Sequence, residues 1–84
     1  MKNFKFRVRV QFKDGILDPQ AEVIFQKIQH LEFSQVKTLT CEKSFLLELE
    51  APSSAEANQV VRRLAQDLLS NPVMESFEVE EVAS

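Results

Sequence analysis

The amino-acid sequence predicts an α+β fold in which an antiparallel sheet carries two helices on one of its faces. Three observations predict it. Residues 4–12 alternate apolar and polar side chains without a break. Two later stretches repeat apolar residues at helical spacing behind capping residues. Basic residues crowd the first part of the chain and acidic residues crowd the last, which suggests that the two ends meet.

The first strand is the clearest element. Phe4, Phe6, Val8, Val10 and Phe12 alternate with Lys5, Arg7, Arg9 and Gln11. A period of two gives a strand with one buried and one wet face. Asp14-Gly15 ends it, because the only glycine of the chain accepts a positive φ that other residues resist. A first helix is expected from Asp18-Pro19. Proline holds Asp18 extended, as an N-cap requires, and its own missing N–H costs nothing at the first helical position. Ala21, Ile24, Phe25, Ile28 and Leu31 form its apolar stripe, and the helix is expected to end between Leu31 and Phe33.

Residues 35–51 read as strand with a joint at Cys41-Glu42-Lys43-Ser44, either a turn between two strands or a bend in one. Beyond it Phe45, Leu47 and Leu49 alternate with Leu46, Glu48 and Glu50. Pro52-Ser53-Ser54-Ala55-Glu56 opens the second helix, Ser53 and Glu56 having the spacing of a capping box. Ala57, Val60, Val61, Leu64 and Leu68 are its expected buried stripe, and Asn71-Pro72 stops it. Phe77-Glu78-Val79-Glu80 closes the chain as a strand. The order β-α-β-β-α-β, or three strands if the middle pair is continuous, reads as a ferredoxin-like sandwich. First and last strands are neighbours in it, so Lys5, Arg7 and Arg9 are expected opposite Glu78 and Glu80 on the open side of the sheet.

Eighty-four residues make one domain, 1–84, and bury somewhat over ~60% of the unfolded surface, so a partner subunit is a reasonable supplement to the core. Ten basic and thirteen acidic residues leave a net charge of −3, without the positive footprint of a nucleic-acid binder. RNA-recognition domains of this order stack bases on aromatic residues of the open sheet face. Here the first strand offers Lys5, Arg7 and Arg9 there, and its phenylalanines point inward. The N-terminus does not read as a signal peptide or membrane anchor, and the cytoplasm is the expected compartment.

Catalytic chemistry is hard to place. His30 sits late in a helix, where a surface imidazole suits the helix dipole. Cys41 is the only cysteine, and Glu42 beside it disfavours a thiolate. Glu48, Glu50, Glu78 and Glu80 alternate with apolar residues, as solvated strand faces do. One glycine cannot build a phosphate loop. No catalytic, cofactor-binding or metal-ligating residue is expected. Two punctuation segments remain, Asp14 to Gln20 and Asn71 to Glu75. Helix starts and stops explain Gly15, Asp18, Pro19, Asn71 and Pro72. They do not explain Gln20, or the apolar pair Ile16-Leu17 in a short loop, and exposed apolar loop residues can mark a contact.

These segments carry a family resemblance. Lys13-Asp14-Gly15-Ile16-Leu17-Asp18-Pro19-Gln20 resembles the Lys-x-Gly-(Val/Ile)-Leu-Asp-Pro-Gln motif of PurS proteins. Leu68-Leu69-Ser70-Asn71-Pro72-Val73-Met74-Glu75-Ser76-Phe77 is similar to that family's Leu-Leu-x-Asn-Pro-Val-(Ile/Met)-Glu-x-(Phe/Tyr) ending. Ala21 and Glu42 stand where the family often has glycine. The resemblance implies a non-catalytic subunit of phosphoribosylformylglycinamidine synthase, the purine-biosynthetic ligase that makes the amidine from formylglycinamide ribonucleotide, ATP and glutamine. It implies bridging of the glutaminase subunit, PurQ, and the small synthetase, PurL, with ammonia passing between them. It also implies a homo-oligomer, dimer or tetramer, with no cofactor bound by this chain although the complex uses ATP and Mg. Gly15, Ile16, Leu17, Asp18, Pro19, Gln20, Asn71, Pro72 and Glu75 become the candidate partner-contact residues. The alternative from the residues alone is a small-ligand-binding regulatory domain of the same fold, and a stand-alone small enzyme is a third class.

Overall fold

The computed structural model describes residues 1–82, so the last two positions of the expected 1–84 domain lie outside the described residues. Three strands and two helices follow one another: β1 (Lys2–Phe12), α1 (Pro19–His30), β2 (Glu42–Ala51), α2 (Ser54–Leu64) and β3 (Glu75–Val82). The sheet order is β2-β1-β3, with β1 antiparallel to both neighbours. The α+β class and the antiparallel sheet are as expected, in the three-strand form. The joint resolves into a strand that starts at Glu42; residues 35–41, expected as strand, are irregular chain.

The alternation in β1 does what its period demands. Phe6, Val8 and Val10 are fully buried, Phe4 and Phe12 half-buried at the strand ends, and Lys5, Arg7 and Arg9 lie on the other face. Register fixes the neighbours: Phe6 pairs with Leu47, Val8 with Phe45 and Val79, Val10 with Phe77. On the open face Arg7 pairs with Glu80 and Arg9 with Glu78, giving side-chain approaches of 3.4 Å and 3.6 Å, with Arg9 also 3.7 Å from Glu80. For Arg7 and Arg9 the charge asymmetry of the sequence is therefore a cross-strand ladder, whereas Lys5, expected in it, lies opposite Val82 of β3 and Glu48 of β2. Each pair is solvated and stabilises by roughly 0.2–1 kcal/mol.

Topology explains why the helices differ. β2 and β3 are both antiparallel to β1 and so parallel to each other, and a connection between parallel strands must cross a sheet face. α2 is that connection. With the turn that continues it, this helix lays Ala57, Val61 and Ala65 on Phe6, Val8 and Val10, and these six side chains are the centre of the core. β1 and β2 are antiparallel neighbours, and an excursion between such strands need not cross the sheet. α1 accordingly is not packed over it. This corrects the expectation of two helices on one face within a single chain. Of the α1 stripe only Ala21 is buried; Phe25 and Ile28 are half-buried, and Ile24 and Leu31 are exposed. The radius of gyration is 16.6 Å, against about 12 Å for a compact chain of this length.

The α2 stripe also needs correcting. Ala65 belongs to it, whereas Val60, Leu64 and Leu68 are exposed, Leu68 at 74%. Ala65–Leu69 winds as a π-helical turn, closed by the Ser70 N–H donating to the Ala65 carbonyl at 3.0 Å and the Ser70 hydroxyl donating to the same oxygen at 2.7 Å. The wide turn brings Leu69 onto the core instead of Leu68. Ser53 caps α2, its hydroxyl accepting from the Glu56 N–H at 3.2 Å. The returning half of the capping box, from the Ser53 N–H to the Glu56 carboxylate, is not formed among the described residues; separately, the Ser54 hydroxyl donates to Glu81. No helix of the described residues is long and apolar enough to cross a membrane.

Candidate partner-contact site

The two punctuation segments, more than fifty residues apart in sequence, meet at one end of the sheet. The β1–β3 pairing carries the chain to this meeting, since its last register pair is Phe12 with Glu75. Just beyond it the Lys13 N–H donates to the Met74 carbonyl at 2.9 Å, and the Lys13 ammonium donates to the Pro72 carbonyl at 2.7 Å. Lys13 thus ties the loop after β1 to the turn before β3 by main chain and side chain together.

Each segment is held in shape by its own residues. Ile16 N–H donates back to the Lys13 carbonyl at 3.1 Å, and Gly15 completes that turn at a φ of +83°. A Cβ there would meet nothing within 4 Å, so glycine is required by the backbone and not by space. Asp18 caps α1 as expected: one carboxylate oxygen accepts from the Gln20 and Ala21 N–H groups, both at 3.1 Å. Pro19 occupies the first helical position.

On the other side Asn71 organises a tight turn. Its side-chain oxygen accepts from the Val73 N–H at 3.0 Å, and its carbonyl accepts from Met74 and Glu75 N–H at 3.1 Å and 2.7 Å. Its own N–H donates to the Glu75 carboxylate at 2.7 Å. Glu75 is only 8% exposed, and its second oxygen lies 3.4 Å from the Lys43 ammonium. A buried carboxylate is costly unless paired and hydrogen-bonded, and Glu75 is both.

Around this junction run two grooves. One, of about 460 Å³, lies between Lys13–Asp18, the first turns of α1 and residues 37–41. The other, of about 380 Å³, is lined by Asp18, Pro19, Gln20, Cys41, Lys43 and Glu75, with the end of β1 as its floor. Asp18 stands on both. Of the nine sequence-predicted residues, Gly15, Ile16, Leu17 and Asp18 line the first groove, and Asp18, Pro19, Gln20 and Glu75 the second. Asn71 and Pro72 line neither and act behind them as scaffold. Leu17 and Val73 are exposed at 70% and 78%, and Ile16 and Met74 at 40% each, so the junction presents apolar side chains to solvent.

Sequence reasoning did not assign Lys13 and Lys43 to the site. Lys13 is the first residue of the first motif and could have been found there; the pairing of Lys43 with Glu75 depends on register and has no local signal. Cys41 lines both grooves, while His30 sits in a separate groove on α1 with Val23, Gln26, Lys27 and Leu31. Among the described residues no group of three or more His, Cys, Asp and Glu side chains comes together that could hold a metal ion. A rigid, hydrogen-bonded platform with exposed apolar side chains is suited to holding a partner.

Comparison with known proteins agrees with the motifs. Residues 5–83 match the family model described as PurS: Phosphoribosylformylglycinamidine (FGAM) synthase. The chain is 37% identical over 82 residues to the phosphoribosylformylglycinamidine synthase subunit PurS of Thermotoga maritima, covering 98% of this chain and 100% of that one. It is 31% identical over 72 residues to the PurS subunit of Archaeoglobus fulgidus, covering 86% of this chain and 90% of the other. Its fold is similar to a chain in the structure of PurLQS from Thermotoga maritima, with a TM-score of 0.87, 36% identity, and coverage of 98% and 100%. The chain belongs to the PurS family, the PurS subunits of phosphoribosylformylglycinamidine synthase.

Proposed function

We propose that the chain is the non-catalytic subunit that joins the glutaminase and synthetase of phosphoribosylformylglycinamidine synthase and supports ammonia transfer between them. The observation that carries this is the junction itself: both family motifs converge on one hydrogen-bonded platform whose outward side chains, Ile16, Leu17, Val73 and Met74, are apolar and exposed. The PurLQS structure from Thermotoga maritima, which holds a chain of this fold, supports the same assembly here. ATP and Mg are used by the complex and bound elsewhere than on this chain, and the compartment is the cytoplasm. The subunit works as a homo-oligomer, which the uncovered stripe of α1 and the extended shape support.

The test is co-purification of the tagged chain with the glutaminase and synthetase of the same organism. The native chain should retain both, and Leu17→Asp should weaken retention by ~tenfold, the equivalent of about 1.4 kcal/mol. Retention of neither subunit by the native chain contradicts the reading.

A further inference from the structure

Residues 36–41 have the character of a strand and no strand to pair with. Val36, Thr38 and Thr40 are β-branched, and half-buried Leu39 and Cys41 alternate with exposed Thr38 and Thr40. The segment runs into β2 with neither turn nor bend. Among the described residues, however, the N–H and C=O groups of residues 37–41 take part in no main-chain hydrogen bond. Such groups are paired or left to water, and an unpaired run of them is a template for an added strand.

The cause lies in where β1 goes. The β1–β2 ladder ends at Gln11 opposite Glu42. Two residues on, the Lys13 N–H is bonded to the Met74 carbonyl at 2.9 Å, on the β3 side. The chain leaving β1 is thereby drawn off the line that Cys41 and Leu39 continue. The larger groove, of about 460 Å³, is the space between residues 13–18 and 37–41 that this divergence opens. It lies where the ladder partner of residues 37–41 would run.

The lining of the groove defines the strand that fits it. Phe12, Phe25 and Leu39 are half-buried there, and Leu17 is exposed. Asp14 and Glu22 are exposed and enter no ion pair among the described residues. The two lysines of the lining are engaged elsewhere, the Lys13 ammonium with the Pro72 carbonyl and the Lys37 ammonium with the Ser34 carbonyl at 3.1 Å. A strand turns successive side chains to opposite sides. Apolar residues meeting Phe12, Phe25 and Leu39 would therefore alternate with Lys or Arg meeting Asp14 and Glu22.

From these features we infer that residues 37–41 accept an extended segment of an enzyme subunit, alternating apolar and basic side chains, as an added strand that prolongs the sheet beyond the start of β2. Main-chain hydrogen bonds hold the segment, and the groove selects its alternate side chains. The inference rests on the bridging reading and adds the surface used and the chemistry of what it holds.

The probes are the purified glutaminase and synthetase, added separately and together to the full-length chain, with deuterium exchange read by mass spectrometry. Amides of residues 37–41 should exchange rapidly in the chain alone, and ~tenfold or more slowly with the subunit that supplies the strand. Asp14→Lys combined with Glu22→Lys, checked for a retained helical signal in far-UV circular dichroism, should weaken binding of that subunit ~tenfold at low salt and less at high salt. Subunits that bind without slowing exchange at residues 37–41, or that bind the charge-reversed chain as tightly as the native one, overturn the inference and leave the bridging role standing. Slowing that appears in the chain alone and grows with its concentration places a second copy in the groove and likewise overturns it. If neither subunit binds the native chain, the bridging reading and the inference fall together.

Discussion

Asp18 and Glu75 show how single residues serve both folding and site. Asp18 caps α1 through two backbone N–H groups and stands on both grooves. Asp18→Ala should lower stability by about 1 kcal/mol, and Asp18→Asn by much less, in denaturant titrations read by circular dichroism. Glu75 is held by Asn71 N–H and Lys43. Glu75→Ala leaves both without a partner and should cost about 1–3 kcal/mol, while Glu75→Gln, which still accepts from Asn71, should cost less. The cap was legible in the sequence because Asp-Pro is a local signal with a local mechanism. The burial of Glu75 was not, since a glutamate beside a proline turn reads as solvated until register brings Lys43 to it.

At the scale of elements, periodicity and topology divide the information. The strict alternation of β1 determined its own face and, with the opposite charges of β3, the pairing partner. Helical spacing found both helices but did not distinguish a stripe that meets its own sheet from one left uncovered. That distinction follows from strand order, because only the connection between the parallel pair β2 and β3 must cross the sheet. The π-helical turn was equally invisible, and it moved Leu68 outward and Leu69 inward against the plain 3.6-residue count. Substitutions should show the division. Phe6→Ala, at 0% exposure under α2, should cost about 3–5 kcal/mol and unfold much of the population, as seen by thermal denaturation. Arg9→Ala, in the solvated ladder, should cost no more than ~1 kcal/mol.

For the whole molecule, two motifs far apart in sequence meet at one end of the sheet. Lys13 joins two segments whose resemblance to one family was readable before their contact was. The composition, acidic and poor in glycine, gave no sign of a catalytic centre, and the junction presents Ile16, Leu17, Val73 and Met74 to solvent. The measurement that tests bridging most directly is reconstitution of amidine synthesis from formylglycinamide ribonucleotide, ATP and glutamine. Purified glutaminase and synthetase should need this chain for glutamine-dependent turnover, and far less for turnover with free ammonia. The chain alone should neither hydrolyse ATP nor release ammonia from glutamine. Glutamine-dependent synthesis that runs equally well without this chain contradicts the bridging role.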